Sequence, residues 1–331
     1  MDSINCKGEK EMAIVCRSIS KGYYKIAPLV GTRIEALREI SFEVRRGEVF
    51  GVIGPDGAGK STLFKILATL LSPDSGCASI EGLDVTKDYR RLRSHIGYMP
   101  GRFSLYQDLT VQENLNLFAR VFNTTIEENL YLIEEIYQQL APFKRRRAEA
   151  LSGGMKQKLA LCCSLIHKPK VLILDEPTTG VDPVSRKEFW ETISRLQGEG
   201  ITTILSTPYM DEAASCDRIA LIKGGKFLKV DTPTKIVSQY RHTLLGVRGE
   251  NQYALLADLR CHSSVKSCFP FGDKLHVTLK GNKLEGEVLK RAELSLKRYL
   301  SEERGHNLVS VESITPGVED SFMDLTLQMD G

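Results

Sequence analysis

A chain of 331 residues, 42% hydrophobic and 26% charged, has room for one large domain and a smaller one. A net charge of +3 is too mild to point to a nucleic-acid partner, and none is expected. No run approaches the ~18–20 apolar residues of a membrane span, and the polar stretch Met1 to Lys10 does not read as a signal peptide. Eight cysteines without a Cys-x-x-Cys pair suit a reducing cytosol and suggest neither a metal site nor a disulfide framework. The adjacent Cys162 and Cys163 read as core, Asn123-Thr124-Thr125 as a chance glycosylation match, and Lys144-Arg145-Arg146-Arg147 as a solvated loop.

Val49 to Ile53 is a buried strand, followed by a glycine-rich turn and a helix from Lys60 to about Leu71. A mostly helical insert follows at about 99–150. Thr110 and Glu113 have the spacing of a capping box, and Leu115, Phe118 and Phe122 mark the face of the helix it opens. Leu130, Ile133, Tyr137 and Leu140 mark a second helix, which Pro142 and the basic cluster end. Val171 to Leu174 and Ile201 to Leu205 are short apolar strands. The helix between them carries Phe189, Ile193 and Leu196 and stops near Gly198 and Gly200. Apolar strands alternating with helices predict an α/β sheet buried on both faces.

From Leu244 the pattern changes. Leu244 to Val247 is strand-like, Tyr253 to Arg260 helical, and Val265 to Phe269 strand-like. Leu275, Val277 and Leu279 alternate as in a half-buried strand. Leu284, Val288, Ala292, Leu296 and Leu300 recur at every fourth residue of a long helix. Leu308 to Val311 is a last strand, and Glu319 to Met329 a terminal helix. The order β-α-β-β-α-β predicts a small α+β, ferredoxin-like domain.

Three motifs carry chemistry. Gly54-Pro55-Asp56-Gly57-Ala58-Gly59-Lys60-Ser61 fits G-x-x-x-x-G-K-[ST] between a strand and a helix. Backbone N–H groups of such a loop cradle phosphates at a helix N-terminus. Lys60 is placed to neutralise the phosphates and Ser61 to ligate Mg²⁺. Asp175 and Glu176 end an apolar strand, which sets two carboxylates at the sheet edge beside that loop. Asp175 is expected to hold Mg²⁺, and Glu176 to polarise an attacking water. Ser152-Gly153-Gly154 opens another helix, with Ser152 as its cap and the glycine N–H groups as a second anion site.

These motifs, in this order, resemble those of the ATP-binding cassette (ABC) ATPases, the nucleotide-binding subunits of transporters. The resemblance implies a phosphate-loop core of ABC type at 13–240 with its helical subdomain, after a tail at 1–12 and ahead of an accessory domain at 244–331. It implies ATP and Mg²⁺ as cofactors, with ATP held between the phosphate loop of one subunit and the signature motif of another. Gly54, Gly57, Ala58, Gly59, Lys60, Ser61 and Thr62 then belong to the phosphate loop. Ser152, Gly153 and Gly154 form the signature, and Asp182 sits in a loop that communicates across the dimer. Asp175 and Ser61 take the metal, Glu176 and Lys60 take the catalytic positions, and Tyr23, or failing it Tyr24, stacks on adenine. The implied partners are transmembrane permease subunits, gripped through Gly101 to Thr110, and a second ABC subunit. The implied location is cytoplasmic, peripheral on the inner face of the cell membrane.

Two positions depart from the family pattern. The usual Gly-Tyr-x-Pro-Gln reads Gly97-Tyr98-Met99-Pro100-Gly101 here, and the usual Ser-Thr-His reads Ser206-Thr207-Pro208. Glycine cannot orient water, and proline cannot make histidine's polar contact to the γ-phosphate. The pattern therefore predicts intact binding with slow or partner-dependent turnover. Pro316-Gly317-Val318-Glu319-Asp320-Ser321-Phe322 resembles the ending of multidrug-, lipid- and antibiotic-export ATPases, which favours an exporter.

Overall fold

The computed structural model describes residues 11–25, 32–102 and 104–330. Two compact units divide the chain, Met1–Pro233 and Thr234–Gly331, and each is described by itself. The division falls ahead of the junction at 240–244 read from the sequence; Tyr240 is buried, and its hydroxyl lies 2.8 Å from that of Thr278 in the second unit.

The first unit is built on two sheets. One is antiparallel, in the order β2 (Thr32–Arg45), β1 (Met12–Lys25), β4 (Ser75–Ile80) and β5 (Leu83–Asp84). The other runs β10 (Lys226–Asp231), β9 (Arg218–Lys223), β3 (Val49–Ile53), β8 (Thr202–Thr207), β7 (Val171–Asp175), β6 (Ile96–Met99). All its pairings are parallel except that of β10 with β9. Every residue of β3, β7 and β8 is buried: β3 and β7 as their apolar runs require, and β8 with four polar residues, Thr202, Thr203, Ser206 and Thr207.

Helix α1 (Lys60–Leu67) shares one core with both sheets. Its Leu63, Phe64 and Leu67 join Ile14, Ile40 and Phe42 of the antiparallel sheet and Phe50, Ile173 and Ile204 of the parallel one. The helix ends earlier than Leu71 because Thr69 adopts a left-handed φ of 61° and the N–H of Leu71 turns back to the Lys65 carbonyl. Helix α2 (Tyr89–Leu92) is a single turn.

Three helices form the insert side. In α3 (Val111–Val121) the capping box is complete: Thr110 accepts from the Glu113 N–H, and Glu113 accepts from the Thr110 N–H. Helix α4 (Leu130–Leu140) buries Leu132, Ile133, Ile136 and Leu140, leaving Tyr137 half-buried. Helix α5 (Gly153–Leu165) buries Cys162 and Cys163 in the core, as their setting predicts, and burial pushes both thiols well up. Helix α6 (Pro183–Gly198) buries Phe189, Ile193 and Leu196.

After α7 (Pro233–Ser238), the second unit runs β11 (Leu244–Arg248), α8 (Gln252–Cys261), β12 (Val265–Phe271), β13 (Lys274–Leu279), α9 (Gly286–Arg298), β14 (Ser310–Ser313), α10 (Val318–Asp330). Its sheet is antiparallel throughout, in the order β12-β13-β11-β14. Leu275 and Val277 of β13 share a core with Leu255 and Leu259 of α8 and Leu296 of α9. Val288 does not follow the expected helical stripe: it is 58% exposed, and Leu289 and Ala292 pack on the core instead. His276, of opposite parity on β13, meets the terminal helix, its Nδ1 lying 2.7 Å from Asp320 Oδ1. The other Asp320 oxygen accepts the Gly317 N–H at 2.8 Å.

Cys77 is disulfide-bonded, whereas Cys16, Cys162, Cys163, Cys216, Cys261 and Cys268 are free. A disulfide depends on two Cα atoms meeting within about 4.4–6.8 Å, which tertiary structure decides and linear spacing does not show.

Replacing Asp320 by Ala strips partners from a half-buried imidazole and a backbone N–H. The expected cost is about 1–3 kcal/mol, read as an earlier transition of the C-terminal unit in urea unfolding, with the N-terminal transition unmoved.

Candidate active site

The phosphate loop leaves β3 at Gly54, where no side chain fits: a Cβ would stand 2.1 Å from the Ile222 carbonyl oxygen. Gly59 is constrained twice, by φ of +107° and by the Ala36 carbonyl oxygen 2.3 Å from where its Cβ would be. Gly57 also has a positive φ, +76°, but faces open space. The glycines therefore do different work: Gly54 and Gly59 press the loop against its neighbours, and Gly57 turns its backbone. Ala58 is buried between them. No side chain caps α1, so the dipole at its start is unshielded by any acid of the first turn.

Lys60 is buried, 3% exposed. Its ammonium donates to the carbonyls of Gly54 at 2.8 Å and Pro55 at 3.1 Å, and lies 3.1 Å from Glu176 Oε1. Asp56, at 3.8 Å, is mostly in solvent. Ser61 donates to Asp175 Oδ1 at 3.2 Å. The hydroxyls of Thr62 and Tyr23 are 3.4 Å apart, so Tyr23 flanks the loop with its ring partly exposed. Tyr24 is 72% exposed and makes no such contact.

Strand β7 delivers the acids. Asp175 is buried, and its Oδ1 also accepts from Ser206 at 2.7 Å. Glu176 has left the strand, with a left-handed φ of 50°, and its N–H points at Ser206, 3.1 Å from the carbonyl oxygen and 2.9 Å from the hydroxyl. Gly101 stands beside this pair: a Cβ there would lie 3.1 Å from the Asp175 carbonyl oxygen and 3.7 Å from Glu176 Cβ. Pro208 follows directly on β8. Burial first, and the Asp175 charge second, push the Tyr98 phenol far up, and its hydroxyl has no partner.

The signature residues form a separate cluster. Ser152 caps α5, accepting from the Met155 N–H at 3.3 Å. A Cβ on Gly154 would meet Ser185 Oγ at 3.0 Å, and one on Gly153 would lie 3.8 Å from the Gly180 carbonyl oxygen. Asp182 caps α6, accepting from Val184 and Ser185 at 3.1 and 3.0 Å. Those bonds, chiefly the one from Ser185, hold its carboxyl below the usual range. Among the described residues no hydrogen bond or ion pair joins this cluster to the phosphate loop. The α5 start and the Asp182 loop pack on each other; Lys60, Ser61, Asp175 and Glu176 come together elsewhere.

Sequence reasoning overlooked the polar groups behind the acids. Thr207 donates to buried Glu212 at 2.6 Å and accepts from the Tyr209 N–H at 3.1 Å. Arg186 pairs with Glu212 at 3.5 Å, its guanidinium 4.4 Å from the centre of the Tyr209 ring. The available signal was the polar run Ser206-Thr207 at the end of an apolar strand, which states no partner.

The donors suit the expected ligands. Ser61 and Asp175 present oxygen only, with no group of three or more His, Cys, Asp or Glu poised for a metal among the described residues. Mg²⁺ fits such a sparse set, since substrate phosphates and water complete its octahedron. The glycine loop, the start of α1 and the Lys60 ammonium suit a polyphosphate.

Fold and site together define a phosphate-loop nucleotide-binding protein. A family model described as ABC transporter matches residues 37–179. The Escherichia coli (strain K12) protein named "Probable multidrug ABC transporter ATP-binding protein YbhF" is 38% identical over 294 residues, covering 88% of this chain and 49% of that protein. This chain thus spans about half the length of that relative. The linearmycin resistance ATP-binding protein LnrL of Bacillus subtilis is 33% identical, with 88% of this chain and 93% of that one covered. The Nod factor export ATP-binding protein I of Sinorhizobium fredii is 32% identical, with 98% and 89% covered. Among solved structures, cbiO1 from Clostridium perfringens, part of the cbiONQ complex, matches with a TM-score of 0.58 at 27% identity, over 69% of this chain and 92% of that one. The chain belongs to the ABC transporter family, among its ATP-binding proteins.

The glycines yield a graded test. Gly59→Ala meets both strain and a backbone clash, of order 1–3 kcal/mol for the strain alone. It should weaken binding of a fluorescent ATP analogue by at least about tenfold. Gly57→Ala, with open space around it, should weaken binding less. Equal losses at the two positions would contradict the packing role given to Gly59.

Proposed function

We propose that this chain is the ATP-hydrolysing subunit of a membrane exporter, closing on ATP with a second ABC subunit and passing the motion to separate permease subunits. It works at the cytoplasmic face of the membrane, held there through those partners. The observation that carries this reading is the meeting of Lys60, Ser61, Asp175 and Glu176 within hydrogen-bonding or ion-pair distance at the ends of β3 and β7. Relatives named for drug resistance or export support the direction of transport. No described helix is long and apolar enough to cross a membrane.

In this mechanism the phosphate loop and Lys60 hold the phosphates, Tyr23 flanks the base, and Ser61 and Asp175 hold Mg²⁺. ATP, when bound with Mg²⁺, supplies the electrophilic γ-phosphoryl group. Lys60 trades its contacts with the Gly54 carbonyl and Glu176 for phosphate oxygens. Glu176, released from that ion pair, orients water and takes its proton. Ser152, Gly153, Gly154 and Asp182 lie apart from this group, which accords with their serving the partner subunit's nucleotide. The stretch from Gly101 to Thr110 faces the permease.

A second reading has its own support. Gly101 adjoins Asp175 and Glu176 without a side chain, and Pro208 follows Thr207 without a polar one. A module that closes on ATP and hydrolyses slowly beside a complete partner fits those losses. Steady-state MgATP hydrolysis beside Glu176→Gln separates the two readings. Hydrolysis lost in the variant with binding retained supports the motor; tight binding with turnover no faster than the variant supports the gated module. Restoring the missing groups with Gly101→Gln and Pro208→His together should raise turnover about tenfold or more, since each positioned group is worth roughly 10²–10³ at most. No gain would contradict the assignment of slow turnover to those positions.

A further inference from the structure

We propose that Ser206 is a positioning residue for both acids of the site, fixing the rotation of the Asp175 carboxylate and the backbone turn of Glu176 through one hydroxyl. The inference rests on the nucleotide reading above.

Ser206 is fully buried on β8, opposite Asp175 in the parallel register. Its hydroxyl donates to Asp175 Oδ1 at 2.7 Å and accepts from the Glu176 N–H at 2.9 Å. The Ser61 hydroxyl, at 3.2 Å, reaches the same carboxylate oxygen. A carboxylate turns about a broad torsion that packing alone does not fix. Two convergent O–H donors set it, and with it the direction of its remaining lone pairs.

Glu176 adds a second constraint. Its φ of 50° is uncommon for a residue with a side chain and persists where neighbours hold it. Both oxygens of Ser206 engage its N–H, so the base leaves the strand at an angle set by this one residue. Burial on β8 does not by itself impose such bonding. Thr203, on the same strand and also fully buried, has a hydroxyl without any partner. With Gly101 and Pro208 offering no polar side chain, Ser206 supplies order from the β8 side that those positions do not.

The test compares wild type with Ser206→Ala, Ser206→Thr and Ser206→Cys. Cysteine keeps the volume but donates weakly, so it carries the result where Ala lowers the melting temperature. The readout is the affinity for a fluorescent ATP analogue with Mg²⁺ and with EDTA, then kcat and KM. Outer-shell partners of metal ligands are typically worth 10–100-fold. Ala and Cys should reduce the Mg²⁺-dependent gain in affinity by about tenfold, leave the EDTA affinity unchanged, and lower kcat with KM nearly constant; Thr should restore all three. A Mg²⁺ gain equal to wild type in Ala and Cys overturns the proposal. So does an equal loss with Mg²⁺ and EDTA, which marks a structural role. A wild-type chain that binds no nucleotide overturns the reading beneath it, and this inference with it.

Discussion

A lysine ammonium buried at the end of a parallel sheet is the constraint around which this protein is built. An unpaired charge there would cost several kcal/mol, so the chain must surround Lys60 with oxygen. It does so with the carbonyls of its own loop and with Glu176. Those partners come from the ends of β3 and β7, two strands kept in place by β8 between them. The loop can wrap so tightly only because Gly54 and Gly59 allow backbone to approach backbone. The buried strands, the glycines and the acid pair are thus one solution to a single electrostatic problem. The solution is also reversible, because phosphate oxygens satisfy the ammonium as well as carbonyls do.

Core packing supplies the stiffness this needs. Helix α1 begins at the phosphate loop and is buried between two sheets, so its first turn cannot drift from the acids. The Phe42 and Phe50 rings, stacked 5.4 Å apart, tie the antiparallel sheet to the parallel one directly beneath it. The signature helix is held differently, by its Ser152 cap and by small residues packed on the start of α6. That arrangement leaves a capped helix start exposed, while Asp175 is buried and Glu176 half-buried.

Much of this was legible in the sequence, for reasons that differ by element. The phosphate loop, the Asp175 strand and the capping box at Thr110 are local patterns, set by adjacent residues, and the structure places them at the positions read. Element ends were less legible, because they depend on backbone choices that side-chain periodicity does not encode: α1 stops at Leu67 through the left-handed Thr69. The stripe on α9 failed at Val288 because a four-residue repeat drifts around a 3.6-residue helix, carrying one member into solvent. The contacts of Ser206, Glu212 and Arg186 could not be read. Ser206 meets Asp175 and Arg186 meets Glu212 across elements distant in sequence, and an isolated serine or arginine announces no partner. The terminal Pro316 to Phe322 motif was visible, but its structural use was not: Asp320 turns one oxygen to His276 and the other to its own turn.

The two departures at Gly101 and Pro208 bear on one function and leave another untouched. Neither residue contributes to enclosing Lys60 or to bonding Asp175. Gly101 adjoins the acid pair, and Pro208 follows directly on β8. Binding depends on the sum of many loop contacts. Hydrolysis depends on a few groups placed within tenths of an ångström of the reacting atoms. The retained Glu176, held in a left-handed turn that a mere surface acid would not need, argues that turnover has not been abandoned. Its geometry is set from β8, by a residue that neither departure removes.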